Sequence, residues 1–466
     1  MNQEDLFGLS SNFMINSSLV AMKQGLLIKH RPDTSATIPL TSEPTKFSKN
    51  LKLIKRGEGP KVNSGIVVGT VRMGYGHHRM AYSVYTHALD KKKEIHLHDL
   101  VAIESREANI VREVDSVYSS FSRYASDLGG TVEWAWGLLT SQGNIYSLQF
   151  STMLAKDLKN LLKDVSFNLP YISTYPLNGQ IAASCGFDKI VHLVPDNFPQ
   201  FYLLVPKAMN LVQSPSSYMK FIDMGVPKEN LAVAGHWVSL DVAANAVKDS
   251  ERRIKRIQKK NPKRLVLPIG GAGAQKKYIL EFLKELVPKL QNKEIYLFLN
   301  AGDHKDFFDT LREFFEKSKI EIEMLNDTDS LSKFCKKNDL TESEKNLKPV
   351  TLFYFENYFD AFSATDRLIR ISDVLVTKPS ELAFYPIPKI FIRRVGDHEA
   401  QSVFRSIELG EGTTECREVS HAMDMVKLLC EEKDLALRMN ECVIRNSNNR
   451  IYDGAKFALE MSLSMS

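Results

Sequence analysis

Short apolar runs alternate with amphipathic stretches along most of this chain. The first clear run is GIVVGTV, Gly65 to Val71, a continuous apolar segment of the kind buried on both faces of a parallel sheet. A glycine-rich turn follows, Gly74-Tyr75-Gly76-His77-His78, and then helical periodicity from Arg79 to Leu89. EIHLHDLVAI (Glu94 to Ile103) predicts a second strand, and Ile110 to Thr140 and Leu148 to Asp164 predict helices. Shorter units come next: strands at Tyr171 to Pro176, Ile190 to Asp196, Met209 to Pro215 and Leu231 to Val238, with helices near Asn178 to Cys185 and Ser216 to Gly225. Strands that alternate with helices predict an α/β fold with parallel sheets.

The pattern breaks between Asp241 and Arg264. There VKDSERRIKRIQKKNPKR is densely charged and predicts a solvated helix ending in a turn. The alternation then restarts. Arg264 to Gln275 is a strand running into a second glycine turn, Gly270-Gly271-Ala272-Gly273, and Lys276 to Leu290 is a helix. Glu294 to His304 is a strand and turn, Ile320 to Leu325 a strand and Val350 to Phe362 a strand and loop, with a helix at Asp306 to Ser318 and a polar loop with a helical insert from Asn326 to Lys348. Ser372 to Gly412 reads as strand, polar turn, short helix, strand, polar turn and helix, and Ser420 to Cys430 and Glu432 to Asn446 are helical. Two similar halves, each opening on a strand and a glycine turn, give the expected domains. Residues 1–61 form an N-terminal arm, with Ile28 to Glu43 irregular, 62–245 a first Rossmann-like domain and 262–447 a second. A final helix, 448–466, is expected to complete the first domain, and the two parallel sheets are expected to face each other across a cleft.

Composition narrows the function classes. With 466 residues and 43% hydrophobic content, the chain has ample material for two or three domains. A net charge of +5 is small for this length and argues against a nucleic-acid surface. The five cysteines, Cys185, Cys335, Cys416, Cys430 and Cys442, are scattered with no C-x-x-C, so a disulfide framework or zinc site is not expected. The N-terminus shows no basic region leading into an apolar core, and no apolar run approaches the roughly 20 residues that span a bilayer. A cytoplasmic, soluble or peripheral protein is the expectation.

The candidate chemistry lies at strand ends, where open α/β sheets bind ligands. Gly74 and Gly76 let the backbone approach a ligand, and the following helix start favours an anion. His77 or His78 can act as a base near neutral pH, the other serving as scaffold. Asp196 ends another strand, as a base or as a loop cap. The second turn, with Gly271 and Gly273, can cradle a diphosphate with its amides. It lacks both the P-loop Gly-Lys-Ser/Thr and the dinucleotide fingerprint, so NAD is disfavoured. Lys378-Pro379-Ser380-Glu381 and Asp397-His398-Glu399-Ala400-Gln401 each follow a strand and carry a glutamate. A carboxylate there can accept two hydrogen bonds from a ribose diol. Plain helix initiation accounts for the same residue types. No metal motif is evident. Asp327-Thr328-Asp329 reads as a turn or helix cap, and a transferase without metal stabilises its leaving group with amides and a cation.

These segments resemble the inverting glycosyltransferases of the two-Rossmann-domain (GT-B) type. The pattern is similar to monogalactosyldiacylglycerol synthases, processive diacylglycerol glucosyltransferases and the peptidoglycan lipid-linked N-acetylglucosaminyltransferase, over Gly65 to Gly412. The glycine turn ending Gly76-His77, the segment Ser214 to Ser239, the strand-and-turn at Pro268 to Gly273, and the blocks SDVLVTKPSELAFYPIP and GDHEAQSV carry the likeness. The chain departs from it in lacking the glycine pair of the donor block and in having His236-Trp237 at the end of the first domain. The resemblance implies a first domain for the acceptor and a second for a UDP-sugar. The activity implied is metal-independent, inverting transfer of a hexose from that donor, with no further cofactor, to a hydroxyl acceptor that a membrane lipid can supply. It implies that Glu381 holds the ribose, Lys378 and Ser380 the diphosphate, Glu399 and Gln401 the sugar, and that His77 or Asp196 activates the acceptor. Trp134 and Trp136 would lie beside the acceptor or in the core. A sugar-nucleotide epimerase or hydrolase on the same fold, or an inactive ligand-binding relative, are the alternatives.

Overall fold

The computed structural model describes residues 6–9, 13–33, 37–72, 74–114, 144–270, 275–396 and 399–465. Trp134, Trp136, Gly271, Gly273, Asp397 and His398, and most of the helix expected over Ile110 to Thr140, lie outside the described residues. The chain divides into two compact units: Met1–Gly235 with Gly454–Ser466, and His236–Asp453.

The first unit is built on an eight-stranded sheet ordered β1-β2-β4-β3-β5-β6-β7-β8. Its strands are β1 (Leu40–Pro44), β2 (Leu51–Arg56), β3 (Ile66–Thr70), β4 (Ile95–Asp99), β5 (Tyr171–Ser173), β6 (Ile190–Leu193), β7 (Met209–Val212) and β8 (Leu231–Val233). Only the β1–β2 pair is antiparallel. Strands β3 and β4 are buried at every position, as expected for parallel strands covered on both faces. The segment before residue 61 is thus part of the sheet: β2 pairs in parallel with β4, and β1 forms the edge. The last helix, Gly454–Ser464, belongs to this unit and buries Ala455, Ala458, Leu459 and Ser462, one stripe at helical spacing.

The second unit is a seven-stranded, all-parallel sheet ordered β11-β12-β10-β9-β13-β14-β15. The strands are β9 (Lys263–Pro268), β10 (Ile295–Asn300), β11 (Ile322–Leu325), β12 (Val350–Phe353), β13 (Val374–Thr377), β14 (Lys389–Ile392) and β15 (Gly412–Cys416). Alternation along each strand assigns its two faces. Leu265, Leu267, Leu297 and Leu299 pack with the helices Lys276–Gln291 and Lys305–Lys317, while Val266, Phe298 and Phe353 pack on the other side with Ala361, Ala364 and Leu368.

The charged stretch after Asp241 differs from its expected solvated form. Helix Leu240–Gln258 buries Asp249, Arg253 and Arg256. Arg253 donates to the carbonyls of Ser372 and Ile369 at 2.8 and 2.9 Å. Arg256 Nε lies 3.0 Å from Asp373 and its Nη1 2.6 Å from Glu344, which also takes Arg264. Burial tends to raise the Asp373 carboxyl pKa, but Arg256 outweighs it and holds the group below its usual value. Arginine heads of this kind enter a core because each guanidinium nitrogen finds an oxygen.

Both sheets share one topological property. From β3 the chain goes first to β4 on one side and later to β5 on the other; from β9 it goes to β10 and later to β13. Each reversal leaves a crevice at the carboxyl ends of two adjacent strands, β3 with β5 and β9 with β13.

Candidate functional site

In the second unit, the crevice at β9 and β13 is formed by two turns. Gly270 ends the described part of the first. A Cβ built there would meet only Lys378 Cε, at 3.8 Å, so the glycine turn and the lysine lie side by side. The second turn is tight: Ser380 N donates to Lys378 O at 2.8 Å, Thr377 Oγ1 to the same carbonyl at 3.0 Å, and Ala383 N to Ser380 O at 2.9 Å. Pro379 is buried within it, and Lys378, Ser380 and Glu381 are half-buried around it. Glu381 opens a 3-10 helix, Glu381–Phe384, whose Leu382, Ala383 and Phe384 are buried. Glu381 itself stays half-buried while the rest of its turn anchors in the core.

A third turn, after β14, closes on the same place. Lys378 Nζ donates to Glu399 Oε1 at 2.8 Å, and Glu399 Oε2 accepts from the amides of Val395 and Gly396 at 2.7 and 3.3 Å. Glu399 is buried and joins the lysine turn to the loop before helix Ala400–Glu408. Gln401 stands half-buried in the first turn of that helix. The Gln275 side-chain amide, at the end of the glycine turn, donates to the Arg393 carbonyl, and Arg394 Nη1 donates to Glu415 Oε2 at 2.8 Å. Lys378 and Glu399 therefore meet beside Gly270, with Ser380 and Glu381 next in the lysine turn and Gln401 two residues after Glu399. The lysine cation is thus held between Gly270 at the end of β9 and the buried Glu399 carboxylate.

In the first unit, Gly74 has φ +122°, a backbone that side chains rarely adopt, and it is followed by helix Gly76–Asp90. His77 is half-buried; its Nδ1 donates to Thr174 O at 2.6 Å, and its ring packs edge-on to Tyr175 at 5.0 Å. Thr174 Oγ1 in turn donates to Gly69 O and His77 O. A proton held on Nδ1 fixes the tautomer and puts the lone pair of the neutral ring on Nε2, the arrangement a general base needs. His78 is buried; its Nδ1 bonds to Val71 O at 3.1 Å and its Nε2 lies 3.3 Å from Asp99, so its ring braces β3 against β4. Asp196 is half-buried after β6, two strands from β3, roughly 10 Å of sheet away. Its neighbour Asn197 accepts from Ser214 Oγ at 2.6 Å. On β6, burial pushes the His192 pKa down to about 4; the bond from its Nε2 to the Leu203 carbonyl opposes this, and His77 adds to the depression.

Sequence reasoning did not single out Thr174, Gln275 or Glu415. Thr174 is 97 residues from the histidine it orients, and the bond uses a carbonyl that every residue has, so no side-chain signal marks it. Asp327 is a helix cap: its carboxylate accepts from Ser330 N at 2.8 Å. Among the described residues no group of acidic, histidine or cysteine side chains is placed to hold a metal ion, and no helix is long and apolar enough to cross a membrane.

The fold and these turns define an α/β protein of two parallel-sheet units, each with polar side chains at the switch point of its sheet. The chain belongs to the family described as Domain of unknown function (DUF6938), which matches residues 226–463. A second description, Domain of unknown function (DUF6937), matches residues 20–222. No curated protein matches the sequence. Among solved structures, S. aureus MnaA with UDP is 13% identical, covers 85% of this chain and 94% of its own, and has a TM-score of 0.45. A UDP-GlcNAc 2-epimerase from Neisseria meningitidis bound to UDP-GlcNAc is 10% identical, over 86% of this chain and 99% of that one, with a TM-score of 0.48. WaaG, described as a glycosyltransferase involved in lipopolysaccharide biosynthesis, is 10% identical over 85% and 99%, with a TM-score of 0.40. At these scores and identities, no activity passes from those proteins to this chain.

Proposed function

We propose that the chain is a GT-B glycosyltransferase that moves a hexose from a UDP-sugar to a hydroxyl acceptor with inversion and without a metal ion. The observation that carries this reading is Lys378, on the turn after β13, lying beside Gly270 at the end of β9 and paired with Glu399 from the turn after β14. Lys378 supplies the cation for the diphosphate, and Ser380 a hydroxyl donor beside it. Glu381 accepts from the two ribose hydroxyls, each such charge-assisted bond contributing about 1.5–3 kcal/mol. Gln401 contacts the hexose.

In the reaction, the acceptor oxygen forms a bond to the anomeric carbon as the bond from that carbon to the diphosphate oxygen breaks. The acceptor proton passes to a base, and UDP leaves with the electron pair. His77 is the preferred base because Thr174 O orients it; Asp196 is the alternative. The acceptor class is a lipid hydroxyl, taken from the sequence resemblance. The test is release of UDP from UDP-glucose and UDP-galactose, with and without lipid vesicles bearing a diacylglycerol hydroxyl. Release that rises with the acceptor supports transfer. UDP release indifferent to any acceptor makes the protein a hydrolase, and nucleotide binding with no release makes it a binding protein.

A further inference from the structure

We infer that His236 is a positioning residue for the nucleotide-sugar site, clamping the turn that carries Glu381 to the helix that carries Gln401. His236 is buried at the first position of the second unit. Its Nδ1 donates to Phe384 O at 3.0 Å, and Phe384 is the last residue of the 3-10 helix that begins at Glu381. That assignment leaves Nε2 as the acceptor, and Arg405 Nε donates to it at 3.4 Å from helix Ala400–Glu408. Arg405 is held in turn by Glu408 at 2.7 Å. The His236 ring also packs edge-on to Phe384 at 5.0 Å, and Ala383, Phe391 and Val403 form a small apolar cluster that joins the same turn, β14 and the same helix.

The backbone of His236 is fixed from the other side. Its N–H donates to Ile451 O at 2.6 Å, and Trp237 forms an antiparallel bridge with Asp453. One imidazole thus meets two site-bearing segments from a frame that belongs to neither. Neutral imidazole alone fits both bonds, as it donates at one nitrogen and accepts at the other. Burial first, and then the Arg405 charge, keep the ring from protonating near neutral pH. Leucine fills the space yet leaves Phe384 O and Arg405 Nε without their partner. Asparagine places an amide where Nδ1–H was and keeps the bond to Phe384 O.

The inference rests on the proposed reading for the identity of the site, but its first readout needs no ligand. Hydrogen exchange is followed by mass spectrometry in the wild type, His236→Leu and His236→Asn. In His236→Leu, exchange of peptides covering 381–387 and 400–408 should rise at least tenfold, with peptides of β9 and β10 unchanged. In His236→Asn, the 381–387 peptides should stay close to wild type while 400–408 loosens. UDP affinity, measured on the same proteins, should fall about tenfold in the leucine variant and be largely restored in the asparagine variant. Exchange at 381–387 and 400–408 unchanged in the leucine variant overturns the inference. So does an equal rise throughout the unit, or, if the leucine variant does not fold, wild-type exchange over 400–408 in the asparagine variant. Absence of UDP binding by the wild type sinks the proposed function separately, and the exchange data still decide the role of His236.

Discussion

Replacing Lys389 by methionine should strand a buried carboxylate beneath the site. Lys389 and Glu411 are both fully buried and 2.9 Å apart. The Lys389 ammonium also donates to the carbonyls of Tyr385 and Ile387 at 2.7 and 3.0 Å, just after the 3-10 helix that carries Glu381. Glu411 further accepts from Asn446 at 2.7 Å and from the Tyr452 hydroxyl. Burial pulls the lysine pKa down, and Glu411 opposes that pull. Methionine keeps the length of the side chain but leaves Glu411 without its countercharge and the Ile387 carbonyl without the lysine donor, while Tyr385 O keeps the Ile387 N–H at 2.9 Å. Breaking a buried pair from one side costs about 3–5 kcal/mol. At about 2–4 °C per kcal/mol for a unit of this size, the melting transition of the second unit should fall by roughly 6–20 °C. Lys389→Met combined with Glu411→Leu should recover part of the loss, because the second change removes the stranded charge. Calorimetric melts of the wild type, both single variants and the double variant read this directly. A fall below about 2 °C for Lys389→Met, or a double variant no more stable than the less stable single variant, refutes the reasoning.

Further outcomes are expected. Glu381→Ala should weaken UDP binding by about 10- to 100-fold by calorimetry, the loss of one or two charge-assisted hydrogen bonds; unchanged affinity defeats the ribose assignment. His77→Ala should lower kcat by about 100-fold or more with little change in donor KM; an unchanged kcat excludes it as the base. Gly69→Ala should destabilise the first unit by about 3 kcal/mol, because the new Cβ would lie 2.3 Å from the Tyr171 hydroxyl and 2.7 Å from Asn178 Cβ; a urea midpoint equal to wild type contradicts this. Burial pushes His98 and His192 down to a pKa of about 4. The unfolded chain then binds more protons between roughly pH 6.5 and 4, so stability rises with pH across that window. It is fully present above about 6.5 and is lost on acidification, by up to about 3 kcal/mol for each histidine. A urea midpoint as high at pH 4.5 as at pH 7 rules this out.

The alternation of strand and helix was legible because parallel strands covered on both faces are written as short apolar runs. GIVVGTV holds β3 and SDVLVT holds β13, and the glycine turns follow β3 and β9. Strand β2 was not legible. LKLIKR is an outer strand with only Leu51 and Ile54 fully buried, and its pairing with β4 is a long-range fact that local periodicity does not encode. The helix Leu240–Gln258 was legible as a helix, but not as a buried one. A run of arginines reads as solvated until partners such as Asp373 and Glu344, about 100 residues onward, are brought to it by the fold. At the site, the strand-end position of Lys378, Ser380, Glu381, Glu399 and Gln401 could be read from the order of elements. The Lys378–Glu399 pair and the clamp at His236 could not, because each depends on turns from different strands meeting in space.

The central claim is that the second unit's switch-point cluster takes a UDP-sugar. Titration of the full-length protein with UDP in a calorimeter, with chelator present to remove divalent ions, tests it most directly. The account predicts saturable binding of one UDP per chain, weakened in Lys378→Met and in Glu381→Ala. Absence of heat up to millimolar UDP, or binding that both variants leave unchanged, would contradict it.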